Sequence, residues 1–136
     1  MSNSVVIDTN LIFSALIPNN SKIRDILIES KLTIYAPNFI ITEIFTHKEK
    51  IIKYSKLSET EFYKYFSGIT EHIKFVPIDF INFESKQKAY YLCKDVDIKD
   101  TPFIALAIDL DIPFWTGDKK LINGLIAKGY TNFYNI

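Results

Sequence analysis

The sequence predicts an α/β fold with a central, mostly parallel sheet. Short apolar runs rich in β-branched residues alternate along the chain with segments that carry apolar residues at helical spacing. Such alternation is typical of parallel sheets whose strands are joined by helices. The 136 residues contain no repeat, low-complexity tract or linker, so we expect a single domain over residues 1–136.

Five segments are predicted as strands because each is short and apolar. The first ends in Asp8, and the second is stopped by Pro37. In chain order, the predicted strands cover residues 5–8, 33–36, 73–77, 113–116 and 131–134.

Six segments are predicted as helices, and local signals set several of their ends. Asn38 is a candidate cap of the second helix, a capping box that starts at Ser58 begins the third, and Gly68 is expected to follow its end. Pro102 occupies the first turn of the fifth helix, whose small residues allow a close approach to the sheet. In chain order, the predicted helices cover residues 22–30, 38–47, 58–67, 80–94, 102–110 and 119–128.

Composition limits the classes of protein to be considered. Hydrophobic residues make up 48% of the chain, which is enough for an ordinary core and argues against disorder. The single cysteine, Cys93, excludes an internal disulfide and a cysteine-based zinc site, so we expect a reducing cytoplasm. No apolar run approaches the ~20 residues that span a bilayer, so we expect a soluble protein without a membrane partner.

Four acids stand at the edges of apolar segments, namely Asp8, Glu43, Asp100 and Asp118. Carboxylates that are buried together repel one another, and a hard divalent cation with oxygen ligands is the simplest neutraliser. One or two Mg²⁺ or Mn²⁺ ions would also polarise a phosphate and generate hydroxide from bound water. The pattern therefore predicts a metal-dependent hydrolase of phosphodiesters, with Asp8 and Asp118 at the carboxyl ends of strands.

Each of these acids also has a purely structural explanation. Asp8 is suited to a turn, Asp100 and Asp118 are suited to capping a helix, and Glu43 is suited to an ion pair with a lysine. Their joint order favours one shared metal site over four separate roles. Glu49 is an alternative to Glu43, although its lysine-flanked position suits a solvated helix face better.

The basic residues are concentrated just after Glu43. Residues 47–56 contain four lysines and one glutamate, and Lys48, Lys50 and Lys53 are the candidates for contacts with RNA phosphates. A solvated helix face explains the same run equally well. The formal net charge is zero, but with the four acids set aside 16 basic side chains stand against 12 acidic ones. Charge reversal at Lys50 or Lys53 should therefore weaken RNA binding more than charge reversal at Lys128.

The order of the motifs resembles the PIN domain family over nearly the whole chain. The chain carries Val5-Val6-Ile7-Asp8-Thr9-Asn10, then Glu43, then Asp97-Ile98-Lys99-Asp100-Thr101-Pro102-Phe103-Ile104-Ala105-Leu106-Ala107, then Thr116-Gly117-Asp118. The resemblance implies a three-layer α/β/α fold and an acidic ribonuclease site that uses Mg²⁺ or Mn²⁺. It implies that Asp8, Glu43, Asp100 and Asp118 are the catalytic quartet and that Asp8, Asp100 and Asp118 bind metal. Thr9, Asn10 and Thr116 match the accompanying polar positions, and Asp97 lies at the edge of the site.

The resemblance also carries expectations about biology. Stand-alone PIN proteins of this length are similar to toxins of bacterial or archaeal toxin–antitoxin pairs, which commonly dimerise and are held inactive by a small antitoxin protein. We therefore expect an endoribonuclease toxin with an RNA substrate. The alternative is a non-catalytic module on the same fold that binds nucleic acid or protein. Domains that phosphorylate an aspartate are disfavoured, because Thr9 and Asn10 follow Asp8 where such domains carry a second acid.

Overall fold

The centre of the structure, a computed structural model that describes residues 3–17, 21–29 and 31–135, is a four-stranded sheet. Its strands run in the spatial order β3-β2-β1-β4, and every neighbouring pair is parallel. This arrangement confirms the α/β prediction with a parallel central sheet. The strands are β1 (Ser4–Ile7), β2 (Thr33–Pro37), β3 (Ile73–Val76) and β4 (Phe114–Trp115).

Helices cover both faces of the sheet. The described part of the chain contains α1 (Thr9–Ala15), α2 (Ser21–Glu29), α3 (Phe39–Thr46), α4 (Lys48–Ser55), α5 (Glu59–Thr70), α6 (Phe83–Cys93), α7 (Thr101–Leu110) and α8 (Lys119–Ala127). The chain steps one way across the sheet from β1 to β3 and then back past β1 to β4. Because parallel crossovers are right-handed, α1 to α5 lie on one face and α6 and α7 on the other. These are the three layers that the sequence predicts.

The core is densest around β1 and α7. Val5, Val6 and Ile7 are all buried, as expected for a parallel strand that is covered on both faces. Five consecutive residues of α7, from Phe103 to Ala107, are also buried, because this helix is enclosed by the sheet and by α6. The small side chains Ala105 and Ala107 permit that close approach, as predicted. Both elements lead directly to predicted site residues.

Two predicted elements differ from the observed ones. The predicted helix over residues 80–94 is wrong at its start, because residues 78–80 form a separate 3₁₀ turn and α6 begins at Phe83. Its start is fixed from α7, where the Asp109 carboxylate accepts hydrogen bonds from the Asn82 N–H at 3.2 Å and the Ser85 hydroxyl at 2.9 Å. The predicted strand over residues 131–134 is reduced to a single parallel bridge between Phe133 and Phe114.

Smaller differences concern helix ends. The capping box at Ser58 is present, but α5 continues past Gly68 to Thr70, because the extra turn buries Ile69. That burial outweighs the cost of about 1 kcal/mol for a helical glycine. Asn38 occupies the cap position of α3, but its side chain makes no capping bond within the described residues. Residue 30, the predicted end of the helix over residues 22–30, lies outside the described residues. No helix in the described part is long and apolar enough to cross a membrane.

Candidate active site

The carboxyl ends of β1 and β4 form the crevice in which the candidate site lies. The chain leaves β1 toward β2 but leaves β4 toward the opposite edge of the sheet. Ligands of open parallel sheets bind at such a switch point. Asp8 directly follows β1 and Thr116 directly follows β4, and the Asp8 N–H donates to the Trp115 carbonyl at 3.1 Å. The two strand ends are thus held together.

A chain of hydrogen bonds orients Asp8, which is only 4% exposed. Its Oδ1 accepts from the Asn10 backbone N–H at 2.6 Å, and its Oδ2 accepts from the Thr116 hydroxyl. The Thr116 oxygen in turn accepts from the Asp118 N–H at 3.1 Å. Asn10 therefore orients Asp8 through its backbone N–H and not through its side chain. Thr116 orients Asp8 through its hydroxyl and also connects it to Asp118 at the start of α8.

Within the described residues, the structure shows a capping role for Asp8 and Asp118 but not for Asp100. Asp8 caps α1 through the Asn10 N–H, and Asp118 caps α8 by accepting from the Leu121 N–H at 3.1 Å. Asp100 stands at the start of α7, but its carboxylate makes no capping bond within the described residues. The neighbouring Asp97 carboxyl instead helps to raise its pKa. Capping therefore does not explain Asp100.

One cavity of about 180 Å³ collects the predicted side chains from four separate parts of the chain. It lies at the carboxyl edge of the sheet and is bordered by α1, α3, α7 and α8. Of the predicted residues it is lined by Asp8, Thr9, Asn10, Glu43, Asp97, Asp100 and Asp118. Three further residues complete its wall, namely Phe13, Lys99 and Phe103.

The carboxylates in this cavity interact strongly. Burial, followed by the charges of Asp8, Asp97 and Asp118, raises the pKa of Asp100 to about 7. Burial also raises the pKa of Asp8, although the hydrogen bonds from Thr116 and Asn10 act in the opposite direction. Gathering these groups therefore costs free energy at neutral pH. A bound cation would remove most of that cost.

Glu43 reaches the cavity from α3 and is partly buried. No lysine or arginine of the described residues forms an ion pair with it, so the structural explanation offered for Glu43 is not met. The Glu49 side chain is 84% exposed and lies 3.7 Å from the Lys48 ammonium, outside the cavity. The geometry therefore favours Glu43 over Glu49 as the fourth acid.

The three candidate lysines lie on α4, outside the carboxylate cavity. The Lys48 ammonium lies 4.0 Å from the Glu59 carboxylate and donates to the Tyr63 hydroxyl at 3.3 Å, so these groups compete with a phosphate for it. Lys50 and Lys53 are exposed. These two remain the better candidates for phosphate contacts.

Two residues of the cavity wall escaped the sequence analysis. Lys99 is the only cation among the described residues that line the cavity. Its position in the sequence between Asp97 and Asp100 could have identified it as a site residue. Phe13 was missed because the short helix α1 carries no periodic pattern long enough to be recognised.

The donor set fits a hard divalent cation in its chemistry. Carboxylate oxygens are the ligands preferred by Mg²⁺ and Mn²⁺. Within the described part of the chain, no three His, Cys, Asp or Glu side chains are arranged so that they could hold a metal ion together as they stand. Mg²⁺ commonly binds through one or two carboxylates, with water and substrate phosphate as its other ligands.

Comparison with known families gives one match. The sequence model described as PIN domain covers residues 6–133, which is nearly the whole chain and includes every predicted site residue. This match confirms the resemblance drawn from the motifs. No curated protein matches the chain.

The raised pKa of Asp100 predicts a pH-dependent gain from Asp100→Asn. In the folded state the carboxyl holds its proton up to about pH 7, against an ordinary value of 3.8, so its contribution to stability is lost as pH rises between these values. With EDTA present, Asp100→Asn should raise the melting temperature by about 3 to 6 °C at pH 8 and much less at pH 4.5. Thermal unfolding followed by circular dichroism measures both. Asp25→Asn, at an exposed position on α2, is the control, and a difference that does not change with pH would contradict the prediction.

Proposed function

Because the chain belongs to the PIN domain family, we propose that it is an endoribonuclease that requires Mg²⁺ or Mn²⁺ and hydrolyses RNA phosphodiester bonds. Members of this family are generally hydrolytic nucleases that use divalent metal ions. The observation that carries the proposal is the single cavity lined by Asp8, Glu43, Asp100 and Asp118, in which burial and the charges of nearby aspartates raise the pKa of Asp100 to about 7.

In this proposal Asp8, Asp100 and Asp118 would hold the metal, which when bound would activate water and offset negative charge on the phosphate. Glu43, on the α3 side of the cavity, orients the attacking water or completes the ligand set. Lys99, which lines the same cavity, neutralises a phosphate oxygen. Water attacks phosphorus and the bond to the 3′ oxygen breaks, so the products carry a 5′-phosphate and a 3′-hydroxyl.

Supporting residues keep these groups in place. The Thr116 hydroxyl donates to Asp8 and so directs the remaining lone pairs of that carboxylate toward the cavity. Asp97 accepts from the Lys99 N–H at 3.1 Å, which fixes the turn that carries both Lys99 and Asp100.

A non-catalytic binding module on the same fold is the alternative. Such a module has no need for a complete acidic quartet, and retaining one costs stability because the charges repel. All four acids are present here and line one cavity. This favours the enzyme over the module.

We further propose that the protein is the toxin of a toxin–antitoxin pair, acting in the cytoplasm as a homodimer with residues 1–136 as one domain. The length of the chain and its family support this role. Phe80 and Phe83, each 75% exposed, offer an apolar surface to a second copy. A neighbouring gene for a short DNA-binding protein would support the pairing with a small antitoxin.

The nuclease proposal predicts that cleavage depends on the acids and on metal. Single-stranded RNA with a 5′ fluorophore should be cut in Mg²⁺ or Mn²⁺ and left intact in EDTA. Asp8→Asn and Asp100→Asn should each lower the initial rate by at least about 100-fold, because each removes a proposed ligand. Gel analysis of the products measures the rates.

Asp25→Asn is the matched control and should cut RNA at the wild-type rate, since Asp25 is exposed on α2 and does not line the cavity. Circular dichroism establishes that each variant is folded. The proposal would be refuted if Asp8→Asn and Asp100→Asn cut RNA at the wild-type rate, or if cleavage persisted in EDTA.

The exposed lysines of α4 are expected to contribute to RNA affinity. Lys50→Glu and Lys53→Glu should each weaken RNA binding by roughly 3- to 10-fold at low salt, and the effect should shrink as salt rises. Fluorescence anisotropy of labelled RNA at two salt concentrations measures this. The Lys128 ammonium lies 2.5 Å from the Asp95 carboxylate, so Lys128→Glu also breaks an ion pair. Lys88→Glu, at an exposed position of α6, is therefore the cleaner control, and an equal loss there would contradict the placement.

A further inference from the structure

A second cavity, of about 360 Å³, lies beside the carboxylate cavity. It is formed between α1 and α4 and has a mostly apolar lining, consisting of Phe13, Ile17, His47, Lys50, Ile51 and Tyr54. Phe13 lines both cavities and is the wall between them. The volume falls in the range of small-ligand sites, roughly 300 to 1,000 Å³. We refer to it as the Phe13 cavity.

Aromatic rings surround the floor of this cavity. Phe13 and His47 pack edge to face, with ring centroids 6.0 Å apart and an interplanar angle of 72°. Ile51 is buried, whereas Tyr54 is 75% exposed. An aromatic ring that stays in water on a folded protein is available to a flat partner, and single-stranded nucleic acids bind by stacking bases on such rings.

The charge beside the rings points to the same class of ligand. Lys50 lines the Phe13 cavity, and no acid of the described residues forms an ion pair with it, in contrast to Lys48. A free ammonium next to aromatic rings is complementary to a nucleotide, which offers a flat apolar base and an anionic phosphate. An apolar peptide would use the rings but leave this charge without a partner.

We propose that the Phe13 cavity binds one unstacked base of a single-stranded RNA, next to the phosphate that is cut. Tyr54 and Phe13 provide the stacking surfaces, and Lys50 contacts the adjoining backbone phosphate. Because both cavities are lined by Phe13 they are neighbours, so a strand crossing the carboxylates can place its neighbouring base here. This inference rests on the proposed function for the nature of the substrate. It implies a preference for single strands, because a base inside a duplex is not free to enter.

The test uses a short single-stranded RNA that carries one 2-aminopurine, whose fluorescence is quenched on stacking. Protein carrying Asp100→Asn, with Mg²⁺ present, serves as a background that does not cut the RNA. Binding should change the 2-aminopurine signal, and adding Tyr54→Leu should remove that change and raise the Kd about 5- to 20-fold. Tyr54→Phe keeps the ring and should retain both the change in 2-aminopurine signal and the Kd of the background protein. Tyr91→Leu makes the same substitution at a tyrosine that is 56% exposed on α6, and this control should bind like the background protein.

The same variants in the otherwise wild-type protein separate the two proposals. Tyr54→Leu should raise the KM for single-stranded RNA and leave kcat nearly unchanged. Wild-type cleavage together with an unchanged KM and an unchanged Kd in Tyr54→Leu would overturn the base site and leave the nuclease intact. A Tyr54-dependent signal in a protein that never cuts RNA would support the base site and overturn the nuclease. The base site would be overturned if the protein did not bind RNA. It would also be overturned if Tyr54 were needed for self-association or for binding an amphipathic peptide but had no effect on RNA binding.

Discussion

Repulsion between carboxylates at the ends of β1 and β4 is the constraint on which the rest of the account depends. Asp8 is nearly inaccessible to solvent, and burial together with the charges of Asp8, Asp97 and Asp118 raises the pKa of Asp100 to about 7. Such an arrangement opposes folding, and it persists only because surrounding contacts compensate for it. The hydrogen bonds from Thr116 and Asn10 to Asp8 supply part of that compensation. In the proposed function a bound cation would supply the remainder.

The apolar frame determines where these charges meet. β1 is buried along Val5–Ile7 and delivers Asp8 to the edge of the sheet, while the buried face of α7 fixes the turn that carries Asp100. α3 is anchored by Ile40 and Ile44 and leaves Glu43 on the cavity side. Packing energy thus holds side chains that would otherwise separate. The Phe13 cavity adjoins this crevice and adds aromatic surface together with the Lys50 ammonium.

Features with a strong local signal could be predicted from the sequence. The β-branched run before Asp8, the capping box at Ser58 and the proline at the start of α7 each act through their own neighbours. The order of the acids predicted the family, which the match over residues 6–133 confirms. It also led to the expectation that the acids share one site, and they line one cavity.

Features set by distant contacts could not be predicted. The start of α6 depends on Asp109, which lies 27 positions after Asn82. The Lys48 ammonium lies next to the Glu59 carboxylate and the Tyr63 hydroxyl, whereas Lys50 forms no ion pair with the described residues. The spacing of the lysines along the sequence does not reveal this difference. The placement of Lys99 in the cavity and of Phe13 between two cavities depends on how helices meet across the crevice. Each of these requires tertiary structure rather than local pattern.

Calorimetric titration with Mn²⁺ at pH 7 tests the shared cation site most directly. The wild-type protein should bind one or two Mn²⁺ ions and release protons, because an Asp100 carboxyl with a pKa of about 7 is partly protonated before it binds. Buffers of different ionisation enthalpy measure the released protons. Asp100→Asn should lose both the affinity and the proton release, whereas Asp25→Asn should keep them. Absence of Mn²⁺ binding by the wild-type protein, or equal binding by Asp100→Asn, would contradict the account.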